Sequence, residues 1–132
     1  MITAVDSSVL LDVLCGDSRQ SEKSGKVLRA SLAAGRLIIC ECVVAEVRPA
    51  LSEKLFEEFV ADWEIHYVPS SLESATLAGK LFQAHLKRGG RGGRVIPDFL
   101  IGAHAKMHAD RLLARDRGYL RDYFQGLRVI NP

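Results

Sequence analysis

The chain has no apolar run approaching the ~18 residues that a membrane-crossing helix requires, and Met1-Ile2-Thr3-Ala4-Val5-Asp6 has neither the basic nor the long apolar region of a leader peptide. A soluble, cytoplasmic protein without a membrane partner is expected. Cysteine is scarce: Cys15, Cys40 and Cys42 are odd in number and form no C-x-x-C, which argues against a disulfide framework or a zinc knuckle. They are read as reduced core or near-core thiols. With only 5 Phe, 3 Tyr and 1 Trp, the core must be mainly aliphatic. A length of 132 residues leaves no room for two full domains, so residues 1–132 read as a single one. The 48% hydrophobic and 26% charged residues exclude wholesale disorder.

The net charge of +2 hides a division along the chain. Residues 1–79 carry 7 Lys/Arg against 12 Asp/Glu, whereas residues 80–132 carry 11 against 4. Lys87, Arg88, Arg91 and Arg94 cluster in the one biased segment, Lys-Arg-Gly-Gly-Arg-Gly-Gly-Arg. Such a segment suits a polyanion, although a solvated loop would look the same.

Ile2-Thr3-Ala4-Val5 followed by Asp6, two serines and a run of aliphatics reads as strand, turn, helix. A second helix is expected over 21–34 with Ser21 as its N-cap, then a strand at Leu37-Ile38-Ile39-Cys40 and a short helix from Glu41 to Val47, halted before Pro49. Leu55, Phe56, Phe59, Val60 and Trp63 form the stripe of an amphipathic helix over 52–63. Ile65 to Val68 is a third strand, and Ser70 with Glu73 suggests a capping box for the helix running to the basic segment. Pro97 suits the first turn of a nearly all-apolar, central helix from Asp98 to Ala109. Strands at Leu112-Leu113-Ala114 and Leu127 to Ile130 flank a short helical turn. Strands alternating with helices predict an α/β fold, a central parallel sheet of about five strands with helices on both faces and a site beyond the carboxyl ends of the strands.

Four acids stand in places where a purely structural role is uncomfortable. Asp6 and Asp116 each follow a buried strand, Asp98 opens the most apolar helix, and Glu46 closes the apolar stretch Cys42-Val43-Val44-Ala45. Each also has an ordinary role open to it: a helix cap, a favourable charge at a helix start, a surface ion pair or a turn. If the four converge, their repulsion calls for a cation, and an all-carboxylate set selects Mg²⁺ or Mn²⁺ over zinc.

Asp6-Ser7-Ser8-Val9-Leu10-Leu11, Val44-Ala45-Glu46-Val47, Pro97-Asp98-Phe99-Leu100-Ile101-Gly102-Ala103-His104-Ala105 and Leu113-Ala114-Arg115-Asp116-Arg117-Gly118-Tyr119 resemble, in order and spacing, the four acidic motifs of PIN-domain ribonucleases, in particular the VapC-type toxins of toxin–antitoxin pairs. The resemblance spans essentially the whole chain, and its specificity lies in the ordered set. It implies a metal-dependent endoribonuclease in which Asp6, Glu46, Asp98 and Asp116 bind Mg²⁺ or Mn²⁺ and Ser8 positions the first acid. It also implies a VapB-type antitoxin as partner, a homodimer and a toxin–antitoxin hetero-oligomer. Lys87, Arg88, Arg91 and Arg94, with Arg115 and Arg117 beside the acids, are then expected to hold the RNA backbone. The alternative is a PIN-like module that binds RNA or a partner without cutting.

Competing motifs fail. A receiver domain would need an acidic pair after the first strand, and a haloacid-dehalogenase phosphatase would need Asp-x-Asp, but two serines follow Asp6. His104 and His108 have helical i, i+4 spacing without the glutamate of HExxH, and the glycines at 89, 90, 92 and 93 precede no G-K-[ST]. Both histidines are expected to be structural or solvent-facing. Asp122 is a rival acid expected on the surface, and Glu41, five residues before Glu46 on a short helix, should not share its face.

Overall fold

A computed structural model of the chain describes residues 1–90, 96–115 and 119–132. The elements follow in the order β1 (Ile2–Val5), α1 (Ser7–Cys15), α2 (Ser18–Ala34), β2 (Arg36–Ile39), α3 (Glu41–Val47), a 3₁₀ turn (Arg48–Ala50), α4 (Glu53–Asp62), β3 (Ile65–Tyr67), α5 (Leu72–Lys87), α6 (Ile96–His108), β4 (Arg111–Leu113), α7 (Tyr119–Tyr123) and β5 (Val129–Ile130). The five strands form one sheet in the order β3-β2-β1-β4-β5, with every pairing parallel. The expected α/β architecture is therefore present.

Successive strand residues point to opposite faces, so consecutive buried residues require cover on both. Thr3, Ala4 and Val5 in β1, Leu37, Ile38 and Ile39 in β2, and Leu112 and Leu113 in β4 are all buried. Arg111 donates from Nε to the Thr3 hydroxyl at 2.9 Å, which satisfies a polar group in the middle of this apolar sheet. The largest fully buried side chain is Phe99 of α6, consistent with a central helix, and its ring meets those of Phe82, Tyr123 and Phe124. Gly102 is required there: a Cβ would come within 2.5 Å of the Phe124 ring.

The strand order sets where a site can form. From β1 the chain builds outward through β2 to β3, then crosses back to lay β4 on the other side of β1. The reversal lies between β1 and β4, and at such a reversal the loops leaving the carboxyl ends diverge and open a crevice. Asp6 follows β1 and Arg115 follows β4 at that point, where the Asp6 N–H donates to the Leu113 carbonyl at 2.9 Å.

Several local expectations are corrected. Helix α2 begins at Ser18, because the Asp17 carboxylate caps it by accepting the Gln20 N–H at 2.8 Å; Ser21 lies inside the helix, its hydroxyl donating to the Val13 carbonyl. The cap of α5 is Ser71, paired reciprocally with Ser74, rather than Ser70 with Glu73. The Ser70 N–H donates to the Glu41 carboxylate at 2.9 Å, and the Ser70 hydroxyl is buried without a hydrogen-bond partner among the described residues. Cys15 is exposed rather than near the core, whereas Cys40 is buried and Cys42 half-buried.

Candidate metal centre

Asp6 sits where extended chain turns into α1, and its carboxylate serves as the N-cap, accepting the Ser8 N–H at 3.2 Å. The Ser8 hydroxyl donates to the same oxygen, Oδ2, and accepts the Arg115 N–H at 3.3 Å. One serine thus ties the acid after β1 to the chain leaving β4. The preceding serine reaches another element: the Ser7 hydroxyl donates to Glu46 Oε1 of α3 at 3.0 Å. Asp98 lies in the first turn of α6, where the helix dipole favours negative charge.

These groups line one cleft of about 200 Å³, in which Asp6, Glu46 and Asp98 supply three carboxylates and Ser7, Ser8 and Arg115 further polar groups. Leu11, Ile101 and Leu120 complete the lining among the described residues. Three of the four acids singled out from sequence are therefore brought together from three separate elements. Asp116 and Arg117, and Arg91 and Arg94 of the basic segment, lie outside the described residues.

The donor chemistry fits a hard divalent cation. The potential ligands at the cleft are carboxylate and hydroxyl oxygens, the set that Mg²⁺ and Mn²⁺ take, and among the described residues neither His nor Cys contributes to the lining. Arg115, the one cationic side chain among the described residues of this lining, is paired away from it: Nη2 lies 2.9 Å from Asp12 Oδ1. Asp12, on α1, is 5% exposed and also accepts from the Ser24 hydroxyl at 2.8 Å and from Gln20 Nε2 at 3.2 Å. Sequence reasoning misses Asp12 and Ser7. Asp12 carries the same signal as Glu46, a carboxylate within an apolar run, whereas nothing in sequence distinguishes Ser7 from its neighbour.

The other charged residues named from sequence are spread out. Lys87 ends α5 on the surface, and the Arg88 guanidinium lies over the Tyr123 ring, 5.1 Å from its centroid. Asp122 is exposed, as expected. His104 and His108 are held as structural groups, His104 Nε2 against the Val68 carbonyl at 2.7 Å and His108 Nε2 against the Ser71 hydroxyl at 3.2 Å. Burial holds the His104 pKa below the usual histidine range, so its neutral form is favoured. Among the described residues, ligand-type atoms of Cys40, Glu41 and Cys42 lie within 4.8 Å of one another. There the closeness of the two thiols lowers the Cys40 pKa and raises that of Cys42.

Fold and cleft together define a parallel α/β protein with a carboxylate-lined crevice at the reversal of its sheet. The sequence profile of the PIN domain matches residues 3–124, and the chain belongs to that family. Solved structures of similar fold include VapBC2 from Rickettsia felis bound to a DNA fragment from its promoter, 16% identical with a TM-score of 0.76, the match covering 100% of this chain and 99% of that one. DNA-bound VapBC from Salmonella typhimurium is 12% identical with a TM-score of 0.74, over 99% and 98% of the two chains. FitAcB from Neisseria gonorrhoeae is 21% identical with a TM-score of 0.70, over 100% and 98%. No curated protein matches the sequence.

Proposed function

We propose that this chain is a single PIN domain over residues 1–132 acting in the cytoplasm as a metal-dependent endoribonuclease toxin of the VapC type, neutralised by a cognate VapB-type antitoxin. The observation that carries this reading is the convergence of Asp6, Glu46 and Asp98 on one cleft, with Ser8 and Ser7 hydrogen-bonded to the first two. The antitoxin, and with it a toxin–antitoxin hetero-oligomer, is supported by the likeness in fold to VapBC proteins; a homodimer is part of the same proposal.

Asp6, Asp98 and Glu46, joined by Asp116 on the sequence pattern, would hold Mg²⁺ or Mn²⁺. Bound there, a divalent ion supplies a water acidified toward hydroxide and offsets charge on the phosphodiester. The residues of the chain set the geometry. Ser8 fixes the Asp6 carboxylate, Ser7 fixes that of Glu46, and Asp98 stands in the first turn of α6. Leu11, Ile101 and Leu120 keep part of the cleft apolar, which strengthens electrostatic attraction within it. Lys87, Arg88, Arg91, Arg94, Arg115 and Arg117 would meet the RNA backbone and position it without reading sequence.

Purified protein is expected to cleave RNA internally in Mg²⁺ or Mn²⁺, and to lose that activity in EDTA and in the Asp98→Asn variant. Cleavage persisting in EDTA would refute the metal-dependent reading. RNA binding without cleavage under any divalent ion would favour the silent module instead.

A further inference from the structure

Asp12 pairs with Arg115 beside the cleft, and the proposed chemistry gives Asp12 no role. Among the described residues, the other ion pair is the exposed Lys54–Glu58 contact at 4.0 Å, of the kind that contributes little. The Asp12–Arg115 pair differs: the Asp12 side chain is 6% exposed and that of Arg115 44% exposed, so a buried anion faces a cation at the cleft rim.

An arginine beside three carboxylates has an alternative position. Its planar guanidinium matches a carboxylate with two parallel hydrogen bonds, an arrangement stronger than ordinary hydrogen bonds. If Arg115 turned onto Asp6, Glu46 or Asp98, it would occupy ligand oxygens and cancel the negative charge that draws a divalent ion. The structure has it elsewhere. The Arg115 N–H is anchored on the Ser8 hydroxyl at the cleft, while its guanidinium reaches Asp12. Asp12 is itself immobilised, with Oδ1 facing the guanidinium and Oδ2 accepting from Ser24 and Gln20 of α2.

We propose that Asp12 is a positioning residue that holds the Arg115 guanidinium away from the carboxylates of the cleft and so favours the uptake of a divalent cation there. The inference rests on the metal-centre reading above.

The test is Mn²⁺ binding to the full-length protein without RNA, followed by calorimetry. Asp12→Asn keeps the shape and an acceptor for Ser24 and Gln20 but gives up the charge that retains Arg115. Mn²⁺ affinity is expected to fall by about tenfold, the lower end of what groups standing behind metal ligands are worth. Removing the guanidinium in the same background, as Asp12→Asn with Arg115→Ala, is expected to restore most of that affinity. A merely structural role for Asp12 predicts that Arg115→Ala gains no more affinity in the Asp12→Asn background than it gains in the wild type, and that outcome overturns the proposal. Unchanged affinity in Asp12→Asn overturns the proposal, as does a double variant as weak as the single one. If circular dichroism shows Asp12→Asn unfolded, Ser24→Ala carries the test, since it keeps both charges but loosens Asp12. A smaller loss reversed by Arg115→Ala then supports the proposal, and an unchanged affinity overturns it. Wild-type protein that takes up no Mn²⁺ refutes the metal-centre reading itself, and this proposal with it.

Discussion

Two adjacent serines divide the orientation of the cleft between them, and their unequal partners predict unequal consequences. Ser8 serves Asp6 and the Arg115 N–H together, whereas Ser7 serves Glu46. Ser8→Ala is therefore expected to depress RNA cleavage more than Ser7→Ala, while each costs only about 1 kcal/mol of folding stability, the net worth of an ordinary hydrogen bond. Initial cleavage rates and urea unfolding of both variants check this; equal rates would remove the distinction. At this scale, Asp6, Glu46 and Asp98 are legible in the sequence because each interrupts or closes an apolar run. Asp12 does the same within α1, but its partner Arg115 lies in a distant part of the sequence and reads there as an RNA-binding residue, so the pairing is not recognisable beforehand.

Secondary structure is legible wherever side-chain chemistry acts locally. The strands and most helices lie close to their expected places because apolar periodicity and proline act over a few residues. The ends move where two capping residues compete. Asp17 outcompetes Ser21 as the start of α2, and Ser71 takes the cap of α5 through its reciprocal bonds with Ser74, while the Ser70 N–H is held by Glu41, a tertiary contact invisible to local pattern. Ser71→Ala should accordingly cost about 1 kcal/mol in urea unfolding, and Ser70→Ala no more than about 0.5 kcal/mol, since alanine keeps the N–H that Glu41 uses. The strand order is not legible, because local pattern does not say on which side of β1 a later strand will pair. The outer strands also bear on assembly: β3 has three residues and β5 two, edges too short to template a continuous intermolecular sheet.

For the molecule as a whole, the division of charge separates an acidic first part from a basic last part, and the proposed cleft draws on both. If the basic segment meets phosphates, replacing Lys87, Arg88, Arg91 and Arg94 by alanine should flatten the dependence of log affinity on log salt by about 0.7 for each phosphate interaction removed, or up to about 3, for single-stranded RNA. Fluorescence anisotropy with the Asp98→Asn protein, which avoids cleavage, measures the slope. Because Arg88 already lies over Tyr123, Arg88→Ala alone should change it less than Lys87→Ala. An unchanged slope in the quadruple variant would assign the segment to solvent.

The central position of β1 governs when the proposed activity can exist. Strand β1 pairs with β4, and the Asp6 N–H bonds the Leu113 carbonyl, so the crevice requires contact between segments far apart in the sequence. Pairings of such long sequence separation close late and slowly, since the entropy of the intervening loop must be overcome before they contribute. A ribosome still translating this message therefore carries a chain with Asp6 and Glu46 already made but no crevice to hold them. The proposed cleft is thus a property of the completed fold and not of any segment of it.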